Sequence, residues 1–275
     1  MVDSEWRENY ISPGELEDLL EFSEKNSSNL KTIITISARH VSSVERTRKL
    51  IEIMKRRESA SLNLVAGNRV YLAEKEVRRS AAKRLVSLAR IVRRCLRDRV
   101  VFIGTEGLTE IALEIATEHD LVPFLLLGKD LESDVDEIHD TYQNSRIAVY
   151  VPYLTKSCDY DISAEAVRRL WRYAFRRRWV RKDLEDKGYD SHLLEVSMKH
   201  ERNSDCNSLD NRVAEVLMDP IGKLSVCGDA ERFIRAFQNF KKLGINTVIG
   251  FPLREEERQV LTFSRCIHHF RRHRV

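Results

Sequence analysis

The sequence has few of the devices that hold small secreted or metal-bound proteins together. Its five cysteines, Cys95, Cys158, Cys206, Cys227 and Cys266, are scattered, odd in number and never spaced as a CxxC pair. This argues against a zinc knuckle, an iron–sulfur cluster and a secreted disulfide scaffold, and it fits a reducing cytoplasm. Long apolar runs are also missing. The longest, Leu121 to Leu127, is far too short to span a bilayer, so no membrane partner is expected. The first residues, MVDSEWRENYISPGE, are polar and acidic, unlike a signal peptide. Serine nucleophile elbows, P-loops, GxGxxG and HExxH are all absent. No self-contained catalytic machinery is legible, which suits chemistry that belongs to a cofactor.

What is present is a globular composition, 42% apolar and 33% charged over 275 residues, enough for one large α/β domain or two ordinary ones. The net charge of +4 is small beside 47 basic and 43 acidic residues, so most charges read as solvated helix faces. The apolar pattern alternates between short strands and helices. Ser12-Pro13-Gly14-Glu15 opens a first helix with a capping signature. Strands are expected at 32–37, 62–67, 100–103, 122–127, 147–151 (closed by Pro152), 224–228 and 246–250. Helices are expected at about 41–57, 74–98, 107–118, 131–138, 163–187, 190–218, 229–243 and 254–270, with a polar loop at 199–208. No strand is evident before Thr32. Continuous apolar strands of this kind are typical of buried parallel sheets, so the choice lies between a (β/α)8 barrel and a doubly wound sheet. The absence of a composition break favours one barrel domain over 1–275.

Four segments carry candidate chemistry. In Gly104-Thr105-Glu106-Gly107, a strand meets a helix start, where amides and the Thr105 hydroxyl can meet a phosphate. The alternative is an ordinary βα turn, and the Glu106 carboxylate would repel an anion. In Leu62-Asn63-Leu64-Val65-Ala66-Gly67, Asn63 stands inside an apolar strand. Its amide needs partners, either a ligand ring or a neighbouring strand. In Ser37-Ala38-Arg39-His40, a strand end carries His40, which is either an acid/base or ligand contact or a surface residue. Tyr153 holds the corresponding place after its own strand, either stacking on a ring or capping the core. In Arg168–Lys182, basic and aromatic residues interleave as in many nucleic-acid surfaces. Their helical spacing favours instead an amphipathic helix packed on the barrel or on a second subunit, with the arginines outside. In the basic tail, His268, His269 and His273 lack a suitably spaced carboxylate, and no metal site is expected.

Several segments in order resemble the bacterial luciferase-like family, which includes flavin-dependent monooxygenases and deazaflavin-dependent reductases such as methylenetetrahydromethanopterin reductase. Val101-Phe-Ile-Gly-Thr-Glu-Gly107, followed by Ala112-Leu-Glu-Ile-Ala-Thr-Glu-His-Asp120, is similar to its "yiGgqGpk…lelAae.aDg" stretch. Leu62-Asn-Leu-Val-Ala-Gly67, then Arg79 to Leu96, resembles the "lNlvtGg…R…e…l" stretch of its alkanesulfonate-type members. Ile147–Val151 with Ser163-Ala-Glu-Ala166 resembles the strand before its "deA" helix. Ser225-Val-Cys-Gly228 through Gly244-Ile-Asn-Thr-Val-Ile-Gly-Phe-Pro252 resembles its C-terminal pattern. The resemblance covers roughly 32–270. It implies a TIM-type barrel that binds FMN or a deazaflavin at the C-terminal mouth. Gly104, Thr105, Glu106 and Gly107 would then lie near the cofactor phosphate, and Asn63, Ala66 and Gly67 near its ring. The family usually opens with two further βα units, whereas only about thirty residues precede Thr32 here. An incomplete or irregular barrel is therefore expected. The resemblance also implies homodimers, to which the Trp171, Phe175 and Trp179 stripe gives one candidate contact.

Three readings follow from this: a luciferase-like oxidoreductase transferring hydride to or from FMN or a deazaflavin, a non-catalytic relative that binds or interacts, and a nucleic-acid binder through 168–182 and 265–274.

Overall fold

Strand and helix alternate along the chain, as the apolar periodicity predicts. The computed structural model describes residues 2–3, 12–26, 32–40, 43–67, 73–106, 109–142, 146–156, 162–201, 211–254 and 257–272. The elements run β1 (Val2–Asp3), α1 (Pro13–Asn26), β2 (Thr32–Ser37), α2 (Ser43–Arg56), β3 (Ala60–Val65), α3 (Glu74–Val77), α4 (Ala81–Cys95), β4 (Val101–Gly104), α5 (Thr109–His119), β5 (Val122–Leu126), α6 (Leu131–Tyr142) and β6 (Ile147–Thr155). They continue with α7 (Ile162–Phe175), α8 (Arg178–Asp186), α9 (Ser191–Glu201), α10 (Asn211–Leu224), β7 (Val226–Gly228), α11 (Ala230–Lys242), β8 (Ile245–Pro252) and α12 (Glu257–Arg272).

Local chemistry explains several of these boundaries. The Glu15 carboxylate accepts the Ser12 N–H at 2.7 Å and the Ser12 hydroxyl accepts the Glu15 N–H at 3.2 Å, a reciprocal cap that starts α1. The single helix expected over 74–98 is two, because the Ser80 hydroxyl accepts the Lys83 N–H at 3.4 Å and begins α4 afresh. The helix expected over 163–187 likewise breaks, with Arg177 as the N-cap of α8. Strand β6 does not stop at Pro152 but runs to Thr155. Proline removes only its own N–H, and the carbonyls on either side stay paired: Leu127 donates to Tyr150 at 3.0 Å and Leu253 to Tyr153 at 2.9 Å. A strand does precede Thr32, for Val2 and Asp3 pair in parallel with Ile34 and Thr35. Two residues are too few to show a hydrophobic period.

The chain forms two compact units. The first comprises Met1–Leu125, Ser133–Val149 and Ile245–Ile249, and the second Leu126–Glu132, Tyr150–Gly244 and Gly250–Val275. In the first, β1 to β5 lie in sequence order, each parallel to the last. Their two faces differ. Ile34, Ile36, Leu62, Leu64, Val101 and Ile103 share one face and join a buried cluster with apolar residues of α1, α2, α4 and α5. The other face carries Thr35, Ser37, Asn63 and Phe102, the last set 6.1 Å from the ring of Phe124. Arg93, near the end of α4, donates to the carbonyls of His119 at 2.6 Å and Arg97 at 2.7 Å, and to Asp120, tying the ends of α4 and α5 together.

In the second unit, β6 and β7 are parallel, with Tyr153 opposite Val226. The inner face of α7 packs with α8, α10 and Leu154 of β6. The ladders give the parallel α/β arrangement expected. Among the described residues no ladder returns to β1 to close a ring, in keeping with the incomplete barrel anticipated.

Candidate functional site

Parallel strands end on one edge, and the helices that follow them begin there. Because β2, β3 and β4 are neighbours, the segments after them lie side by side. The structure thus brings His40, Asn63, Ala66, Gly67, Gly104, Thr105 and Glu106 to one edge of the first unit's sheet. Gly107 lies outside the described residues.

Asn63 stands opposite Thr35 on one side and Phe102 on the other, and is 2% exposed. Its Nδ2 donates to Thr35 Oγ1 at 3.4 Å, but its Oδ1 has no hydrogen-bond partner. Ser37, two residues beyond Thr35 on the same face, is also 2% exposed, and its Oγ has none either. A buried polar atom left unpaired costs roughly 1–3 kcal/mol, and most buried polar atoms are paired. Two such atoms lie on one face, near the C-terminal ends of the adjacent strands β2 and β3.

The backbone around them is cross-linked. Ala38 N–H donates to Val65 C=O at 2.8 Å, and His40 N–H to Ser37 C=O at 3.3 Å. Arg39 donates through Nη1 to Gly67 C=O at 3.1 Å and through Nε to Arg79 C=O at 3.2 Å. Arg79 returns a bond to His40 C=O at 3.4 Å. The segments after β2 and β3 are therefore held by charge-assisted bonds, the kind that stiffens a site. His40 is partly exposed at the end of this network. Beside it, Arg79, Ser80, Lys83 and Arg84 line a cleft of about 430 Å3 at the start of α4.

At Gly104 the end of β4 lies close against Val65 of β3. A Cβ there would lie 2.9 Å from Val65 Cγ1, closer than real side chains allow. The buried Thr105 gives its N–H to Phe124 C=O at 3.4 Å and takes the Thr109 hydroxyl on its own carbonyl at 3.4 Å. Glu106 is exposed.

Sequence reasoning did not single out Thr35, Ser37, Arg39 or Arg79 as site residues. A signal for the first two was available, since Thr35 and Ser37 stand two apart in an otherwise apolar strand and so share a face. The arginines had no local signal, because their acceptors are main-chain carbonyls about 28 to 40 residues away. Tyr153 proves to be core: it is 2% exposed, stacked on Phe263 at 4.2 Å and edge-on to Phe233 at 6.0 Å. Burial pushes its hydroxyl pKa up to about 12. Trp171 and Phe175 are buried, and Trp179 packs against the same cluster. Those two rings are not free to stack on bases, while Arg168 and Arg169 on the outer face pair with Glu165. Among the described residues, no group of three metal-ligating side chains occurs, and no helix is long and apolar enough to cross a membrane.

Comparison with known proteins agrees with the fold. A crystal structure of apo-MsnO8 superposes with a TM-score of 0.57 at 15% identity, covering 96% of this chain and 84% of that one. The uncharacterized protein MJ1239 of Methanocaldococcus jannaschii is 31% identical over 170 residues, 62% of this chain. The chain spans 64% of that relative's length. A family of unknown function, DUF7388, matches residues 1–259, and the chain belongs to that family.

Proposed function

We propose that the protein is a luciferase-like oxidoreductase that binds FMN or a deazaflavin on the C-terminal edge of β2, β3 and β4. The observation that carries this reading is the pair of buried, unpartnered atoms, Asn63 Oδ1 and Ser37 Oγ. They fit the polar edge of a flavin-type ring, which offers both N–H donors and carbonyl acceptors. The likeness of fold to apo-MsnO8 supports the luciferase-like reading at the level of the fold. When bound, the cofactor would supply the hydride acceptor or donor. Asn63 and Ser37 would orient the ring, with Ala66 and Gly67 beside it and Gly104 to Gly107 along the same edge. Arg79, Lys83 and Arg84 give the neighbouring cleft the positive charge that suits the cofactor's phosphate. His40 would contact substrate or move a proton. The free thiols of Cys95, Cys227 and Cys266 suit a reducing, cytoplasmic setting.

The second reading is a binding protein that kept the scaffold and lost the cofactor. The Gly104–Glu106 turn favours it, because the Thr105 amide is already committed to Phe124 and Glu106 adds a negative charge. Titration of the purified protein with FMN and with a deazaflavin, followed by absorbance and fluorescence, decides between the two. Saturable binding weakened by Ser37→Ala supports the oxidoreductase, whereas no binding of either supports the second reading. Association as a homodimer belongs to the same proposal. Light scattering should give about twice the chain mass of 32.1 kDa, and a monomer mass would reject it.

A further inference from the structure

The second unit holds a cavity of about 390 Å3 at the C-terminal ends of β6 and β7, where α7 and α11 begin. Two lysines of the same unit, Lys187 and Lys223, both reach Asp219, at 3.4 and 2.9 Å. Lys156 and Arg232 line the cavity and, among the described residues, make no ion pair. Arg235, a third cation on the lining, pairs with the exposed Glu231 at 3.5 Å. Among the described residues the one carboxylate on the lining, Asp229, is committed to the cap of α11, where its Oδ1 accepts the Arg232 N–H at 3.0 Å.

Two features hold the cations in place. The Lys156 N–H donates to Gly228 C=O at 2.7 Å, which fixes the residue after β6 to the end of β7. Gly228 has φ +152, and a Cβ there would lie 2.8 Å from Arg232 Cδ. Only glycine lets the arginine stem lie against the strand end, with its guanidinium at the cavity. The starts of α7 and α11 add the positive ends of two helix dipoles. Ile162, Ala166 and Ile221 give the cavity an apolar wall, and Cys227 lies on it partly exposed.

We infer that this cavity binds an organic anion of the phosphate-monoester class, with its head between Lys156, Arg232 and Arg235 and its carbon part against Ile162, Ala166 and Ile221. The site belongs to the second unit and does not depend on the flavin reading.

Phenyl phosphate is the probe, with the full chain titrated calorimetrically and Cys227 alkylation by iodoacetamide followed by peptide mass spectrometry. Binding should slow alkylation of Cys227 at least about tenfold at saturation, while the exposed Cys95 reacts at an unchanged rate. Lys156→Gln and Arg232→Gln, both at exposed positions, should keep the melting temperature and each weaken binding on the order of tenfold or more. No heat and no protection at about 10 mM probe would overturn the site. So would unchanged affinity in either variant that melts normally. Tighter binding of phenylacetate than of phenyl phosphate would overturn the phosphate class. Binding of inorganic phosphate with exclusion of phenyl phosphate would overturn the organic part.

Discussion

Asn63→Leu separates a ligand-binding asparagine from a structural one. Leucine keeps the γ-branched outline of asparagine and removes its polar atoms. The native residue makes one long hydrogen bond, Nδ2 to Thr35 Oγ1 at 3.4 Å, and leaves Oδ1 buried and unpaired. Relief of the unpaired oxygen is worth roughly 1–3 kcal/mol, and loss of a long bond between neutral groups costs less than about 1 kcal/mol. Crowding by the two methyl groups costs up to about 1 kcal/mol in a strand this well packed. The expected net effect is stabilisation by about 1 kcal/mol, or about 2–4 °C in melting temperature for a chain of this size. The same change removes the group that would meet the ring edge, so affinity for FMN or a deazaflavin should fall on the order of tenfold. Circular dichroism melts and the flavin titration measure the two quantities on one preparation. Destabilisation by more than about 1 kcal/mol would refute the reasoning, since it would mean that Oδ1 is satisfied in solution. Unchanged cofactor affinity would remove Asn63 from the site.

Other consequences rest on the second unit. Gln259 is fully buried, and its Oε1 accepts both the Thr155 N–H at 2.7 Å and the Thr155 hydroxyl at 2.8 Å. Gln259→Leu should cost about 2–4 kcal/mol by urea denaturation, because it leaves the buried Thr155 N–H and hydroxyl without their acceptor; a cost below about 1 kcal/mol would contradict this account. The raised pKa of Tyr153 carries a definite sign. The unfolded chain ionises this phenol near pH 10, as a free tyrosine does, while the folded chain holds it neutral up to about 12, so stability falls as pH rises through that window. Tyr153→Phe, which keeps the ring packing, should flatten the loss of stability between about pH 10 and 12, and an unchanged slope would count against burial as the cause. Trp179→Ala should destabilise the second unit, because Trp179 packs on the cluster around Trp171; a variant that stays folded and loses only self-association would place the contact on α7 and α8 instead.

Periodicity in the sequence was enough to determine the alternation of short apolar strands with amphipathic helices, the parallel α/β class and the reciprocal cap at Ser12 and Glu15. These depend on residues within a turn or two of one another, where side-chain spacing and backbone hydrogen bonding are coupled directly. The breaks at Ser80 and Arg177 were harder to see, because a helix of good formers continues in pattern even where a cap restarts it. β1 was invisible, since two residues carry no period. The edge that gathers His40, Asn63, Gly67 and Gly104 followed from strand order, but its unpaired atoms did not. Only the register that sets Thr35 beside Asn63 and Ser37 beside Val65 decides which polar atoms lack a partner. Tertiary packing alone sent Tyr153 and Trp171 into the core and, among the described residues, left Lys156 and Arg232 without an ion pair beside a cavity. Partners dozens of residues apart in the chain determine burial and pairing, and no local pattern encodes where those partners come to rest.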